Sequence, residues 1–143
     1  MHFSNFAESG VLNHIFRSST LAKPVTMAVA LTGIVPNDAN TAASINEISG
    51  GSYARVDLGA PADADWNAVI LDSTGGSGLM DNVAAVTFPQ ATANWGWVSG
   101  IALVDTTSGS GNMWMYGQLT TPREILNNDT FEIPAGSLDI YLS

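Results

Sequence analysis

The stretch that decides the fold runs from residue 83 to residue 142 and contains five short apolar segments: VAAVTF at 83–88, WVSGIALV at 97–104, MWMYGQL at 113–119, TFEI at 130–133 and LDIYL at 138–142. Turn-forming residues separate these segments, for example TTSGSG at 106–111 and PAG at 134–136. Short strands at a spacing of roughly 8–12 residues are typical of an all-β sandwich or barrel. We therefore predict a single antiparallel β-sandwich of jelly-roll-like type that spans residues 1–143 as one domain.

The first half of the chain adds further strands. Apolar side chains alternate over 25–31, which places Val25, Met27, Val29 and Leu31 on one strand face and the smaller side chains between them on the other. A second strand is predicted over 53–58. The apolar run at 66–71 predicts a short buried strand, and the Gly-rich segment at 73–78 predicts a hairpin connection.

One helix is predicted, over residues 5–17. Asn5 is the expected N-cap, and Glu8 three residues later completes a capping-box pattern. Apolar side chains recur at helical spacing and predict a broad packing face: Val11, Leu12, Ile15 and Phe16. Arg17 in the last turn suits the negative end of the helix dipole.

The chain is acidic overall, although few of its residues are charged. The net charge is −9, and charged residues make up 12% of the chain, about half the usual share of about 25%. Nucleic-acid binding requires clustered cations that release counterions from phosphates, and anionic membrane surfaces also attract basic segments. The chain has four scattered cations. We therefore expect neither nucleic acid nor membrane as a partner.

Nothing in the sequence indicates a catalytic or metal centre. The chain has no cysteine, which removes thiol nucleophiles and thiolate metal sites. His14 stands without a second histidine near it, and the acidic scraps at 37–40 and 63–65 lack the ligand spacing of a calcium loop. We expect no enzyme activity, no cofactor and no metal; a small hydrolase or lyase on a sandwich fold is the least favoured alternative.

Tryptophans raise the question of an aromatic contact surface. Core packing is expected for Trp66 and Trp97. Trp114 and Tyr116 are predicted to share one face of their strand, opposite Met113 and Met115. That aromatic face fits protein contact best, core packing second and glycan stacking third.

Several segments together resemble a known family. They are NHIFR at 13–17, VTMAVAL at 25–31, EISGGSYAR at 47–55, VTFPQATANWG at 86–96, YGQLTT at 116–121, NDTF at 128–131 and AGSL at 135–138. Their order is similar to that in small virion proteins of tailed bacteriophages, a family of tail-fibre-like or capsid decoration (cement) proteins. The resemblance covers nearly the whole chain, and the segment 59–80 is where this sequence departs from it.

The resemblance implies a structural virion protein without catalytic residues. The leading expectation is a decoration protein on the capsid exterior that bridges major capsid subunits as a dimer or trimer. The alternative is a tail- or baseplate-associated attachment protein with a receptor- or glycan-binding face. The absence of an export signal pattern fits synthesis in the host bacterial cytoplasm.

Contact residues are predicted among the scarce cations and the aromatic residues near the N-terminus. Each cation is expected to pair with a carboxylate, either of a neighbour or of the domain itself. The predicted contact residues are Phe3, Phe6, Arg17, Lys23, Arg55, Trp114, Tyr116 and Arg123.

Overall fold

The computed structural model describes residues 1–71 and 78–142 and shows an all-β chain with one N-terminal helix. The elements are β1 (His2–Phe3), α1 (Asn5–Phe16), β2 (Met27–Thr32), β3 (Val56–Gly59), β4 (Ile70–Leu71), β5 (Gly78–Met80), β6 (Val86–Thr87), β7 (Gly96–Val104), β8 (Met113–Ile125), β9 (Glu132–Ile133) and β10 (Ile140–Leu142). The expected connection over 73–78 lies outside the described residues apart from Gly78.

Three antiparallel sheets pack together as a sandwich. The largest has the strand order β1-β8-β7-β2-β3, and the smaller ones have the orders β10-β5-β4 and β6-β9. The long β7–β8 hairpin lies at the centre of the large sheet, with β2 paired along its other side from Ala28 to Thr32. The β-sandwich predicted from the strand spacing is confirmed.

Strand β2, an inner strand of the large sheet, is buried over its whole length because both faces of the sheet are covered there. On one face Val29 and Leu31 join the main core, which also contains Phe88 and Leu103. On the other face small side chains, among them Ala28, Ala30 and Ala102, pack under Ile45. The alternation predicted for this strand is confirmed from Met27 to Leu31, but it is wrong for Val25, which lies before the strand and is 88% exposed.

A β-bulge at Trp114 makes one face assignment wrong. Leu103 pairs with Met115, but the next residue of β7, Val104, pairs with Met113, so that Trp114 is the extra residue. An extra residue breaks the strict alternation of side chains. Trp114 therefore packs against the main core with Met115, whereas Tyr116 packs against the cluster that contains Met113.

The N-cap of the helix lies one residue before the predicted one. Ser4, not Asn5, is the N-cap: its backbone is extended, and its hydroxyl accepts a hydrogen bond from the Ala7 amide at 3.3 Å. The same hydroxyl donates to the carbonyl of Met113, which anchors the helix to β8. Ala7 is the one fully buried residue of α1.

Two segments that the sequence predicts as buried are exposed. On α1 the side chains of Leu12, Ile15 and Phe16 are 57%, 61% and 76% exposed. Strand β4 is exposed at both of its residues, and Leu71 is 76% exposed. The prediction of a buried strand over 66–71 is therefore wrong for the isolated chain, since β4 forms an edge of the three-stranded sheet.

Candidate contact surfaces

Two of the segments that carry the family resemblance, 47–55 and 86–96, meet in space and form one corner of the domain. The carbonyl of Gly51 accepts hydrogen bonds from the indole Nε1 of Trp95 and from the amide of Thr92, both at 2.9 Å. The ring of Tyr53 stacks on Phe88 at 6.2 Å and lies edge-on to Trp95 at 5.3 Å. We call residues 47–55 and 86–96 the motif corner; their aromatic side chains pack against one another.

Arg55 ties this corner to two other loops. Its Nε and Nη2 donate to the two carboxylate oxygens of Glu47 at 2.8 and 2.7 Å, the bidentate geometry that suits a guanidinium. Nη1 donates to the carbonyl of Thr106 at 3.0 Å, and Nη2 also donates to that of Ala42 at 2.9 Å. The hydrogen bonds to Glu47 raise the pKa of Arg55 above its ordinary value. Of the two pairings predicted for Arg55, the structure contains the intramolecular one.

Tyr53 completes the polar network. Its hydroxyl donates to Glu47 Oε1 at 3.0 Å and accepts from the amide of Leu31 at 2.9 Å. Burial raises the pKa of this phenol well above its ordinary value, so the group stays protonated and keeps donating. In the part of the chain that the structure describes, Thr32 Oγ1 is the one buried side-chain polar atom without a hydrogen-bond partner.

The predicted aromatic contact residues separate into two places. Phe6, 39% exposed, lies edge-on to Trp114 at 5.2 Å, and the Trp114 indole donates to Asp105 at 3.3 Å. Tyr116 lies on the other side of the sheet, with its ring 5.7 Å from that of His2. Phe6 and Trp114 are brought together, but Tyr116 is not part of the same surface.

The remaining predicted cations lie apart from one another. Arg17 is the exposed C-cap of α1, Lys23 lies in the segment after the helix, and Arg123 is exposed on β8. Within residues 1–71 and 78–142 the one ion pair is Arg55–Glu47. Arg17, Lys23 and Arg123 therefore leave their charges open to other groups.

A largely apolar groove of about 740 Å³ lies between the large sheet and the segment 61–69. Met27, Leu103 and Met115 contribute from the large sheet, and Phe3 from β1. Other apolar side chains come from the departing segment and the small sheet: Trp66, Val69, Leu79 and Ile140. One charge of each sign, Lys23 and Asp63, also lines it. Sequence reasoning missed this groove because its parts lie far apart along the chain.

Trp97 differs from its prediction. The side chain is 59% exposed, although core packing was expected. The next residue, Val98, points into the main core and is fully buried, so the strand alternation turns Trp97 outward beside Glu124 on β8. Trp66 is half-buried in the groove, and Trp95 is the tryptophan of the core.

His14 makes a structural contact, and the described residues contain neither a metal-binding cluster nor a helix that could span a membrane. The Nδ1 of His14 accepts a hydrogen bond from the amide of Leu21 at 3.3 Å, which joins the helix to the segment that follows it. Among the described residues no cluster of three histidine or acidic side chains with metal-binding geometry occurs. None of the described helices has the length and hydropathy needed to span a bilayer.

Taken together, these features define a small β-sandwich with an N-terminal helix, in which Arg55, Tyr53 and Glu47 are bonded to one another within the fold. Residues 2–141 match the family model described as podophage GP4 fiber I protein gp80, and the chain belongs to that family. It is thus a member of a small virion protein family of tailed phages, as the sequence resemblance predicted. A search of curated proteins finds no match.

Proposed function

We propose that this protein is a non-catalytic structural subunit of the phage fibre or tail apparatus, which acts by making protein contacts. The match of residues 2–141 to a family described as a fibre protein carries the proposal. The structure supports it, because Arg55, Tyr53 and Glu47 bond to one another and to backbone instead of lining an open site. Several large apolar side chains are exposed, among them Phe16, Val25 and Leu71, and such side chains suit a permanent interface.

Capsid decoration is the competing assignment. In that role the protein sits on the capsid exterior and bridges major capsid subunits, and many modest contacts add up because the shell is multivalent. The apolar surfaces of α1 and β4 would serve either location. What separates the two roles is copy number, since a shell offers many more equivalent sites than a tail.

The experiment that tests the proposal is the copy number of this chain per purified particle, measured by quantitative mass spectrometry against the major capsid protein. A fibre or tail subunit is expected at tens of copies or fewer. Hundreds of copies, in a simple ratio to the capsid protein, would overturn the fibre assignment in favour of decoration. Complete absence from purified particles would overturn both.

A receptor- or glycan-binding face is a second candidate function, and the exposed indole of Trp97 favours it. Exposed aromatic rings stack on sugars and anchor protein contacts. We expect Trp97→Ala to reduce adsorption of particles to host cells while particle stability stays unchanged. The matched control is Ile34→Ala, which removes a side chain that is 66% exposed. Equal adsorption of both variant particles would exclude a role for Trp97.

A further inference from the structure

The helix α1 is apolar on two sides, and only one side is covered by the chain itself. Phe6 and Ala7 face the domain, where they contact Trp114 and the start of β8. Leu12, Ile15 and Phe16 point away from it and are more than half exposed. A helix that is apolar all round is normally buried. We call Leu12, Ile15 and Phe16 the ridge.

The groove and strand β4 also expose apolar side chains that the described chain does not cover. Ala68 and Val69 line the groove, and Ile70 and Leu71 continue from it with 63% and 76% exposure. A continuous apolar run is the pattern of a strand that is covered on both faces. No residue of α1 lines the groove in the described structure, so the ridge does not fill the groove of its own chain.

The ridge has the side-chain spacing, and the groove has the volume, that a helix-in-groove contact needs. Leu12, Ile15 and Phe16 have the i, i+3, i+4 spacing with which helices anchor in apolar grooves. The groove volume of about 740 Å³ lies within the range of roughly 300–1,000 Å³ typical of ligand-binding clefts, which is room for several side chains. One surface is convex, the other concave, and both are carried by every copy of the chain.

The charges also match. Glu8 precedes the ridge on the same exposed side of α1, and Arg17 follows it, about 14 Å further along the helix axis. The groove carries the opposite pair, Lys23 and Asp63. Since Arg55–Glu47 is the one ion pair between described residues, all four charges are open to intermolecular pairing.

We propose that the ridge of one copy lies in the groove of the next copy, with Arg17 beside Asp63 and Glu8 beside Lys23. Such a contact is heterologous: each copy gives a ridge and receives another. Heterologous contacts close into rings when the rotation between copies permits. This self-contact goes beyond the virion role and holds for a fibre or a shell location alike.

The test measures the mass of the full chain in solution by analytical ultracentrifugation over a wide concentration range. The ridge variant is Leu12→Asp with Phe16→Asp, and the groove variant is Val69→Asp. Ile34→Asp is the matched control, because Ile34 is 66% exposed and lies outside both surfaces. Circular dichroism and thermal unfolding verify that each variant folds.

Wild type and Ile34→Asp are expected to associate, and the ridge and groove variants to raise the concentration needed for association by at least about tenfold. An equimolar mixture of the two variants should form a heterodimer and nothing larger, because one intact ridge still meets one intact groove. A monomeric wild type, a monomeric mixture, or equal loss in Ile34→Asp would overturn the proposal. A monomeric wild type would assign the two surfaces to another virion protein.

A charge exchange tests the orientation independently. Arg17→Asp and Asp63→Arg should each weaken association, and the two changes combined in one chain should restore it. Failure of restoration would overturn the assigned pairing. None of these outcomes bears on the copy-number experiment, so failure of the self-contact leaves the virion role standing.

Discussion

The motif corner and the side that carries the ridge and groove differ in what their side chains contact. In the corner, Phe88 and Trp95 are 2% and 8% exposed, and the Trp95 indole is bonded to the carbonyl of Gly51. On the other side, Phe16 and Leu71 are each 76% exposed. Both regions are rich in apolar residues, but only in the motif corner are the apolar side chains buried by other described residues of the same chain.

We infer from this difference that the motif corner stabilises the fold and that the ridge and groove serve contacts between molecules. Two of the segments that carry the family resemblance, 47–55 and 86–96, lie in the corner and serve the fold, whereas a third, 13–17, contains Ile15 and Phe16 of the ridge. Residues 61–63, 66–69 and 78–80, which belong to the segment that departs from the family resemblance, line the groove. Changes in the corner should therefore cost stability, and changes on the other side should cost association.

The largest stability effect is expected at Arg55. Arg55→Ala leaves the carboxylate of Glu47 without its partner and should lower the free energy of unfolding by about 3 kcal/mol. Urea unfolding measures the loss. The control is Arg123→Ala, an exposed cation, for which we expect a change within about 0.5 kcal/mol. Equal stability of the two variants would contradict the role assigned to Arg55.

A smaller effect is expected from two adjacent glycines. Both have positive φ, +77° at Gly50 and +52° at Gly51, but a Cβ on Gly51 would lie 2.9 Å from the Trp95 indole nitrogen, whereas one on Gly50 meets nothing within 4 Å. Gly50→Ala should cost about 1–2 kcal/mol for the left-handed backbone alone. Gly51→Ala should cost more in the same urea experiment; an equal cost would show that the close approach does not matter.

The helix cap comes next. Ser4→Ala removes the acceptor of the Ala7 amide and the donor to the Met113 carbonyl, and should cost about 1–2 kcal/mol. Asn5→Ala, the change that the sequence alone would select, should stay within about 0.5 kcal/mol. Thermal unfolding of both variants compares the two caps. A larger effect at Asn5 would restore the cap predicted from the sequence.

The smallest effect is expected in acid at Asp57. The Thr26 hydroxyl and the Gly59 amide donate to this carboxylate at 2.7 and 2.8 Å, and these bonds lower its pKa below the ordinary value. A lowered folded pKa adds stability above the ordinary aspartate pKa, and this stability is lost as the pH falls through the folded value.

Thr26→Val should therefore be less stable than wild type near neutral pH, and the difference in Tm should shrink on acidification below about pH 4. Thr107→Val, an exposed threonine, serves as the control. A Tm difference that is the same at every pH would mean that Thr26 acts through packing and not through Asp57.

The strands are the part of the fold that the sequence predicts well. The segments at 25–31, 97–104 and 113–119 all correspond to strands of the large sheet, because alternation and turn residues are local signals. The exceptions have local causes that a pattern does not contain. The bulge at Trp114 shifts the register by one residue, and a shift of one moves every later side chain to the other face.

The candidate contact surfaces were less predictable. Arg17, Lys23 and Phe6 are exposed at their predicted places, but the sequence did not distinguish the buried Arg55 from the exposed Arg123. The groove could not be inferred, because Met27, Val69 and Met115 meet only when three distant segments pack. Burial is a property of that packing, and residue type alone does not specify it.

By itself, the sequence determined an all-β sandwich with an N-terminal helix and membership of a tailed-phage virion family, since strand period, turn residues and motif order are properties of the chain. It also determined that two segments, in α1 and around β4, carry apolar side chains that are expected to pack against other residues. Only the tertiary structure decided that these two apolar segments are exposed among the described residues, that Arg55 is enclosed with Glu47, and that Trp97 faces solvent. The physical reason is that solvent exposure and pairing depend on which distant segments meet, and that is fixed when the sheets pack.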